Sequence, residues 1–171
     1  MESQQEIKRL VEALQRLTPG KLPLPVFIGV ARLTVTPILE VVPLRLHDRS
    51  IEVLLLEREK TDPVWGGQLH TPGTVIRASD APGDLHDAFE RITHGELDGC
   101  ALHGTPTYVE TFFHQVKRGR ELAMIHWVEV TGEVSVGKWY PVDDLPATIV
   151  STQVPFIHSA VKSFKSTKKL K

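Results

Sequence analysis

Between Pro72 and Gly99 the chain places a proline-glycine turn and then an acidic, helix-forming stretch in the middle of runs that read as strands. This interruption decides the fold class. Strand-rich segments on both sides of a helix share a sheet that the helix covers, so an α/β (α+β) arrangement follows, with a mixed β-sheet between helices. The turn is Pro72-Gly73, and the helix runs through Leu85-His86-Asp87-Ala88-Phe89-Glu90-Arg91-Ile92. Asp84 is placed to cap it with Asp87 at its third position, and Asp98-Gly99 supplies the stop. Leu85, Ala88 or Phe89, and Ile92 form the buried stripe. One polar row holds Asp84, Asp87, Arg91 and His94, and another holds His86, Glu90 and His94. His86 and His94 lie about 12 Å apart along the axis at about 1.5 Å per residue, too far for one three-ligand zinc site. Arg91 can instead pair with Asp87 across one turn.

The rest of the chain supplies the other layers. Ile7, Leu10, Val11, Leu14 and Leu17 recur at helical spacing and Thr18-Pro19-Gly20 stops them, so an amphipathic N-terminal helix is expected, packed on the domain or on a second subunit. From Val26 to Glu57 the pattern reads as short β-rich runs, with a hairpin of Ile38–Val42 and Ile51–Leu56 about the polar turn 45–50. Strands are expected at Thr107–Phe113 and Leu122–Val130, joined by Lys117-Arg118-Gly119-Arg120. A last helix starts near Pro155 and buries Phe156, Ile157, Ala160, Val161 and Phe164. This divides the chain into an N-terminal helix (1–20), a sheet-bearing domain (21–165) and a basic, disordered tail (166–171).

Composition narrows the partners. With 171 residues, 41% hydrophobic and 24% charged, the chain suits one domain with a sizeable core. A net charge of -1 offers no basic field for nucleic acid or an anionic membrane. One cysteine, Cys100, permits no internal disulfide and no cysteine-rich zinc site. The most apolar stretch, Val26 to Leu46, is broken by Arg32, Pro37, Glu40, Pro43 and Arg45, which excludes a spanning helix. A cytoplasmic protein is expected.

The stretch Ala88-Phe89-Glu90-Arg91-Ile92-Thr93-His94-Gly95-Glu96-Leu97, after the Pro72-Gly73 turn and with Trp65 upstream, resembles the signature region of a Nudix domain. Trp139-Tyr140-Pro141-Val142-Asp143-Asp144-Leu145-Pro146 is similar to the segment such domains carry before their last helix, and the resemblance spans about Pro37 to Phe164. It implies an α/β/α sandwich. Laid without gaps from Gly73, the usual box puts its first glutamate on Ser79 and its cluster on Ala88, Arg91 and Ile92; with a short insertion at Ala81-Pro82-Gly83 the cluster falls on Arg91, His94 and Gly95. Neither register holds a cation, because an arginine keeps its charge. A third register follows the variant box of the GDP-mannose mannosyl hydrolases, which keeps one arginine and one glutamate, here Arg91 and Glu96.

That variant implies Mg²⁺, or Mn²⁺, held by the Gly73 carbonyl, Glu96 and Glu133, the last replacing a glutamine with a harder oxygen donor. It implies Arg58 and Arg91 as contacts to the phosphates of a nucleoside diphosphate derivative or as the groups that orient the glutamate, and His114 or His126 as the base that activates water. A nucleotide sugar is the implied substrate and a homodimer is compatible. Four positions depart from the variant: Thr74, Val75, Val134 and Trp127 stand where it has glycine, arginine, histidine and tyrosine. Lost charge and a lost base point either to another substrate or to a domain that binds a nucleotide or protein without turnover.

Overall fold

The computed structural model describes residues 3–170. Helix α1 (Gln4–Gln15) begins with a reciprocal capping box between Ser3 and Glu6, and none of its residues is buried. Helix α2 (Leu24–Leu33) corrects the expectation of β-rich runs from Val26. Proline in its first turn suits a helix start, and at its end Thr34 returns both its backbone N–H and its hydroxyl to the Val30 carbonyl. The apolar run there is too short for periodicity to separate a buried helix from a strand.

Seven strands form one sheet: β1 (Val35–His47), β2 (Ser50–Glu57), β3 (Leu69–His70), β4 (Gly73–Val75), β5 (Cys100–Val116), β6 (Gly119–Gly132) and β7 (Gly137–Pro141). The order is β3-β2-β1-β6-β5, with β4 on β1 and β7 on β2; β1 and β6 run parallel and the other pairs antiparallel. The hairpin forms as β1–β2 but with a tighter turn than expected: Leu44–His47, rather than Ile38–Val42, pair with Ser50–Val53, and Asp48 and Arg49, both with positive φ, close it. Helix α3 (His86–Arg91) passes into a π-helical turn, Ile92–Glu96, and α4 (Val154–Lys168) closes the chain. The Asp84 carboxylate accepts from the His86 N–H and Asp87 reaches back to Ala81, so the two acids secure the entry to α3 without forming a box.

The core lies in two layers. On one face Ile38, Val42, Ile125 and Trp127 pack under α4, which buries all five residues expected of it. On the other, Leu39, Val41, Val128 and Val130 pack under Ala88, Ile92 and Leu97. Burial on both faces explains why β1 and β2 read as nearly continuous apolar runs. Helix α4 extends to Lys168, into the segment read as a tail; Lys168 Nζ meets Glu129 at 2.5 Å and Leu170 packs against the core.

The candidate site sits where β1 divides. Ile38–Glu40 pair with β4, Leu44–His47 pair with β2, and 69–75 enter between β1 and β2 as a wedge. Pro43 falls between these two pairings, where its missing N–H costs no ladder bond.

Candidate functional site

Gly73 lies opposite Glu40 in the β1–β4 ladder. Val41 bonds the Pro72 carbonyl and Ile76 bonds the Pro37 carbonyl, so the intervening Glu40–Gly73 pair is of the non-hydrogen-bonded kind. Both backbone polar groups of Gly73 therefore turn away from β1. Its N–H donates to Glu96 Oε2 at 2.7 Å, and its carbonyl emerges on the same side. Glycine is required here: a Cβ would come 2.7 Å from Glu40 Cδ.

Glu96 reaches Gly73 because α3 does not end as an α-helix. The Leu97 N–H bonds the Ile92 carbonyl, five residues back, and the widened turn carries Glu96 to the wedge while Ile92 and Leu97 stay buried. Burial raises the pKa of Glu96, against the pull of the Gly73 N–H and Arg58.

Glu40 is buried, at 6% exposure, beside this pair. Thr71 donates its hydroxyl to Oε2 at 2.9 Å, and Gln153 Nε2 reaches both oxygens at 3.2 Å. Desolvation pushes its pKa up to about 8, with the neighbouring Glu96 charge adding to the shift and Thr71, Arg58 and Gln153 opposing it. His70, also buried, gives its Nδ1 to the Thr71 carbonyl at 2.7 Å; burial, then the Arg58 charge, depress its pKa to about 4. Arg58 follows β2, stands 3.7 Å from Asp62 and 5.7 Å from the Trp65 ring centre, and buries an Nε with no partner.

The structure brings Gly73, Glu96 and Arg58 into one region and adds Glu40, which the sequence used only as a charge that breaks an apolar run. One carboxylate inside Ile38-Leu39-Glu40-Val41-Val42 was the available signal, because a buried acid needs partners. Glu133 is exposed, its carbonyl lies against Gly99, and it has no hydrogen bond to the Gly73–Glu96 pair. Among the described residues no three His, Cys, Asp or Glu side chains gather as a metal cluster.

Arg91 is committed elsewhere. Its guanidinium grips Asp80 at 2.5 and 2.9 Å and the Val75 carbonyl at 3.0 Å, which replaces the expected Asp87 partner and pins the loop after β4 to α3. The Arg91 contact holds the Asp80 carboxyl below its usual range.

The two candidate histidines lie on opposite faces of the sheet. His126 is buried edge-on between Phe89 and Tyr108, with ring centres 5.1 and 5.4 Å away, and burial lowers its pKa. His114 is on the α4 face, 5.3 Å from the Phe156 ring, with Nε2 3.6 Å from buried Glu121, beyond hydrogen-bond reach. It lines a cavity of about 20 Å³ with Glu40, Arg58 and Gln153, room for about one water. Glu121 is held at 2.5 Å by Arg118, whose guanidinium stands between the rings of Trp65 and Phe27, 5.1 and 5.6 Å from their centres.

Two depressions meet at Arg58. One, about 730 Å³, runs from Glu40, Gly73 and Arg58 to the N-terminal helices. The other, about 500 Å³, holds Glu96, His70 and Asp62. No helix among the described residues is long and apolar enough to cross a membrane.

No protein-family model matches the chain, and no curated protein matches it. Solved structures match it in fold. The NUDIX domain of NrtR from Shewanella oneidensis, complexed with ADP ribose, superposes with a TM-score of 0.60 at 15% identity, over 90% of this chain and 97% of that one. A mutT/nudix family protein from Listeria innocua gives 0.61 at 14%, over 81% and 99%. The Ap4A hydrolase of C. elegans gives 0.55 at 17%, over 77% and 98%. With the mixed seven-stranded sheet held between α3 and α4, this likeness identifies the architecture: the chain has the Nudix fold.

Proposed function

We propose that the chain is a Mg²⁺-dependent hydrolase of a nucleoside diphosphate derivative, a nucleotide sugar in the first instance. The observation that carries this reading is the Glu96 carboxylate bound to the Gly73 N–H beside a second buried carboxylate, Glu40. Mg²⁺ takes oxygen donors, commonly one or two carboxylates, and completes its shell with water and substrate phosphate. The donor set fits. Two acids whose proton affinities are raised by burial, and at Glu40 also by the neighbouring acid's charge, exchange their protons for a cation readily. Glu96, the Gly73 carbonyl and Glu40 would hold Mg²⁺ or Mn²⁺, which would neutralise the departing diphosphate. Glu133, apart from this pair, is left out of the set.

The chain's own groups do the remainder. Arg58 lies between the two depressions and can meet a phosphate with its outward guanidinium edge. Gln153 and Thr71 hold Glu40 in one orientation. His114, not His126, shares a cavity with Glu40, and its lowered pKa keeps the imidazole neutral and able to accept a proton from water. ADP-ribose in the NrtR domain is the same chemical class of ligand on the same fold.

A second reading, binding without turnover, is favoured by the commitment of Arg91 to Asp80, which removes one expected phosphate contact. Incubation with ADP-ribose, GDP-mannose and other nucleotide sugars in Mg²⁺, following release of sugar and nucleotide, separates the two. Turnover abolished by Glu96→Gln supports the hydrolase; saturable binding without product supports the second reading; neither turnover nor binding overturns both.

A further inference from the structure

The 730 Å³ cleft has two chemically different ends. At one stand Glu40, Gly73 and Arg58. At the other the lining is apolar and comes largely from outside the sheet: Leu14 and Leu17 at the end of α1, Val26, Phe27 and Val30 on α2. Thr36 and Thr74 on the floor add hydroxyls that can donate or accept. Ligand sites are typically apolar pockets of about 300–1,000 Å³ with a few polar groups that fix orientation.

These helices are held in place by contacts that the sheet supplies. Gly119 packs so closely under α2 that a Cβ on it would lie 2.3 Å from the Ala31 carbonyl oxygen. The Arg118 guanidinium, fixed by Glu121, stands over Phe27. Between α1 and α2, Gly20 has a φ of +76° and meets Ser79 so tightly that a Cβ would come 2.2 Å from its Oγ. The loop carrying Ser79 is the one Arg91 pins through Asp80. Arg77, on that loop, lines the cleft with its side chain exposed, two residues beyond Val75, where the resemblance leads one to expect an arginine.

We infer that the α1–α2 pair is the specificity wall of the site: it takes the nucleobase of a nucleoside diphosphate compound, and Arg77 meets the diphosphate between that base and Gly73. The inference rests on the hydrolase reading for the location of the diphosphate. The occupant is a base joined to a diphosphate because the cleft joins cationic and carboxylate groups at one end to a mainly aliphatic wall at the other, which carries one aromatic ring with the Arg118 guanidinium over it and threonine hydroxyls from Thr34, Thr36 and Thr74. A free sugar, hydroxylated all round, would leave that wall unmatched.

Leu14 and Val30 are 44% and 37% exposed, so a charge at either leaves the core untouched. The test is calorimetric titration, with Mg²⁺ present, of ADP-ribose, ADP and inorganic pyrophosphate into the wild type, V30E, L14E and R77Q. The inference expects ADP and ADP-ribose to bind at least tenfold more tightly than pyrophosphate. V30E and L14E should weaken both nucleotides about tenfold and leave pyrophosphate unchanged, and R77Q should weaken all three by a similar factor. Nucleotide affinity unchanged in V30E and L14E, or pyrophosphate bound as tightly as ADP, overturns the wall while leaving the diphosphate site standing. Failure of all three probes to bind the wild type overturns the hydrolase reading and the wall with it.

Discussion

Arg91 and Arg58 illustrate opposite uses of the same side chain. Arg91 has a forked carboxylate partner and a carbonyl, and its partner's proton affinity is lowered. Arg58 has only a 3.7 Å contact to Asp62 and faces two carboxyls, Glu40 and Glu96, whose proton affinities are raised. A closed ion pair lowers the energy of one loop conformation, whereas carboxyls buried without full compensation keep an affinity for something not yet bound, a proton or a cation. The first arrangement fixes a loop and the second is the site we propose.

The contrast can be broken at either pole. The largest effect is expected at Glu96: Glu96→Gln keeps an acceptor for the Gly73 N–H but removes the charge, so turnover of a nucleotide sugar should fall by about 10²-fold or more while the melting temperature changes little. Equal turnover in E96Q and wild type would remove Glu96 from the site. Arg91→Ala should cost about 2–3 kcal/mol in urea unfolding, since it strands Asp80 and frees the loop that carries Arg77 and Ser79, and should weaken nucleotide binding through that loop. The double variant with Asp80→Ala should cost less than the sum of the two singles; simple additivity would deny the clamp.

A third, smaller effect concerns pH. Glu40 binds its proton more tightly in the folded chain, with a pKa of about 8, than at the ordinary 4.5 of an unfolded glutamate. Its contribution to stability is complete below about pH 4.5 and is lost as pH rises through about 8. Glu40→Gln stays neutral, so without divalent cation its stability relative to wild type should rise steadily between pH 5 and 8.5. Parallel pH profiles would mean that Glu40 is ionised throughout. The smallest effect belongs to the exposed Glu90–His94 pair, 3.1 Å apart: Glu90→Ala should change stability by less than about 0.5 kcal/mol.

Helices α1 and α4 show how far the sequence could be read. Both are amphipathic by spacing, yet α4 buries Phe156, Ile157, Ala160, Val161 and Phe164 while α1 leaves Ile7, Leu10, Val11 and Leu14 exposed. Periodicity identifies the apolar face of a helix and not what meets it. Helix α2 was hidden because its short apolar run precedes a strand that is itself buried on both faces. At the proposed site, the turn and the variant box single out Gly73 and Glu96, which the structure joins by a hydrogen bond; the contacts of Glu40 with Thr71 and Gln153 were not legible, because they span 31 and 113 residues. Asp80 was missed as the partner of Arg91 because the pairing, 11 residues apart in sequence, joins the loop after β4 to α3, outside the helical i,i+4 rule.

Local chemistry alone determined the positions of the long strands β1, β2, β5 and β6, the helices α1 and α4 and the α/β class, since each depends on side chains a few residues apart. Only the tertiary structure decided which acids share a site. The division of β1 between β2 and β4 and the widened turn after α3 bring Glu40 and Glu96 against one glycine, and the cost of burying charge then sets their chemistry.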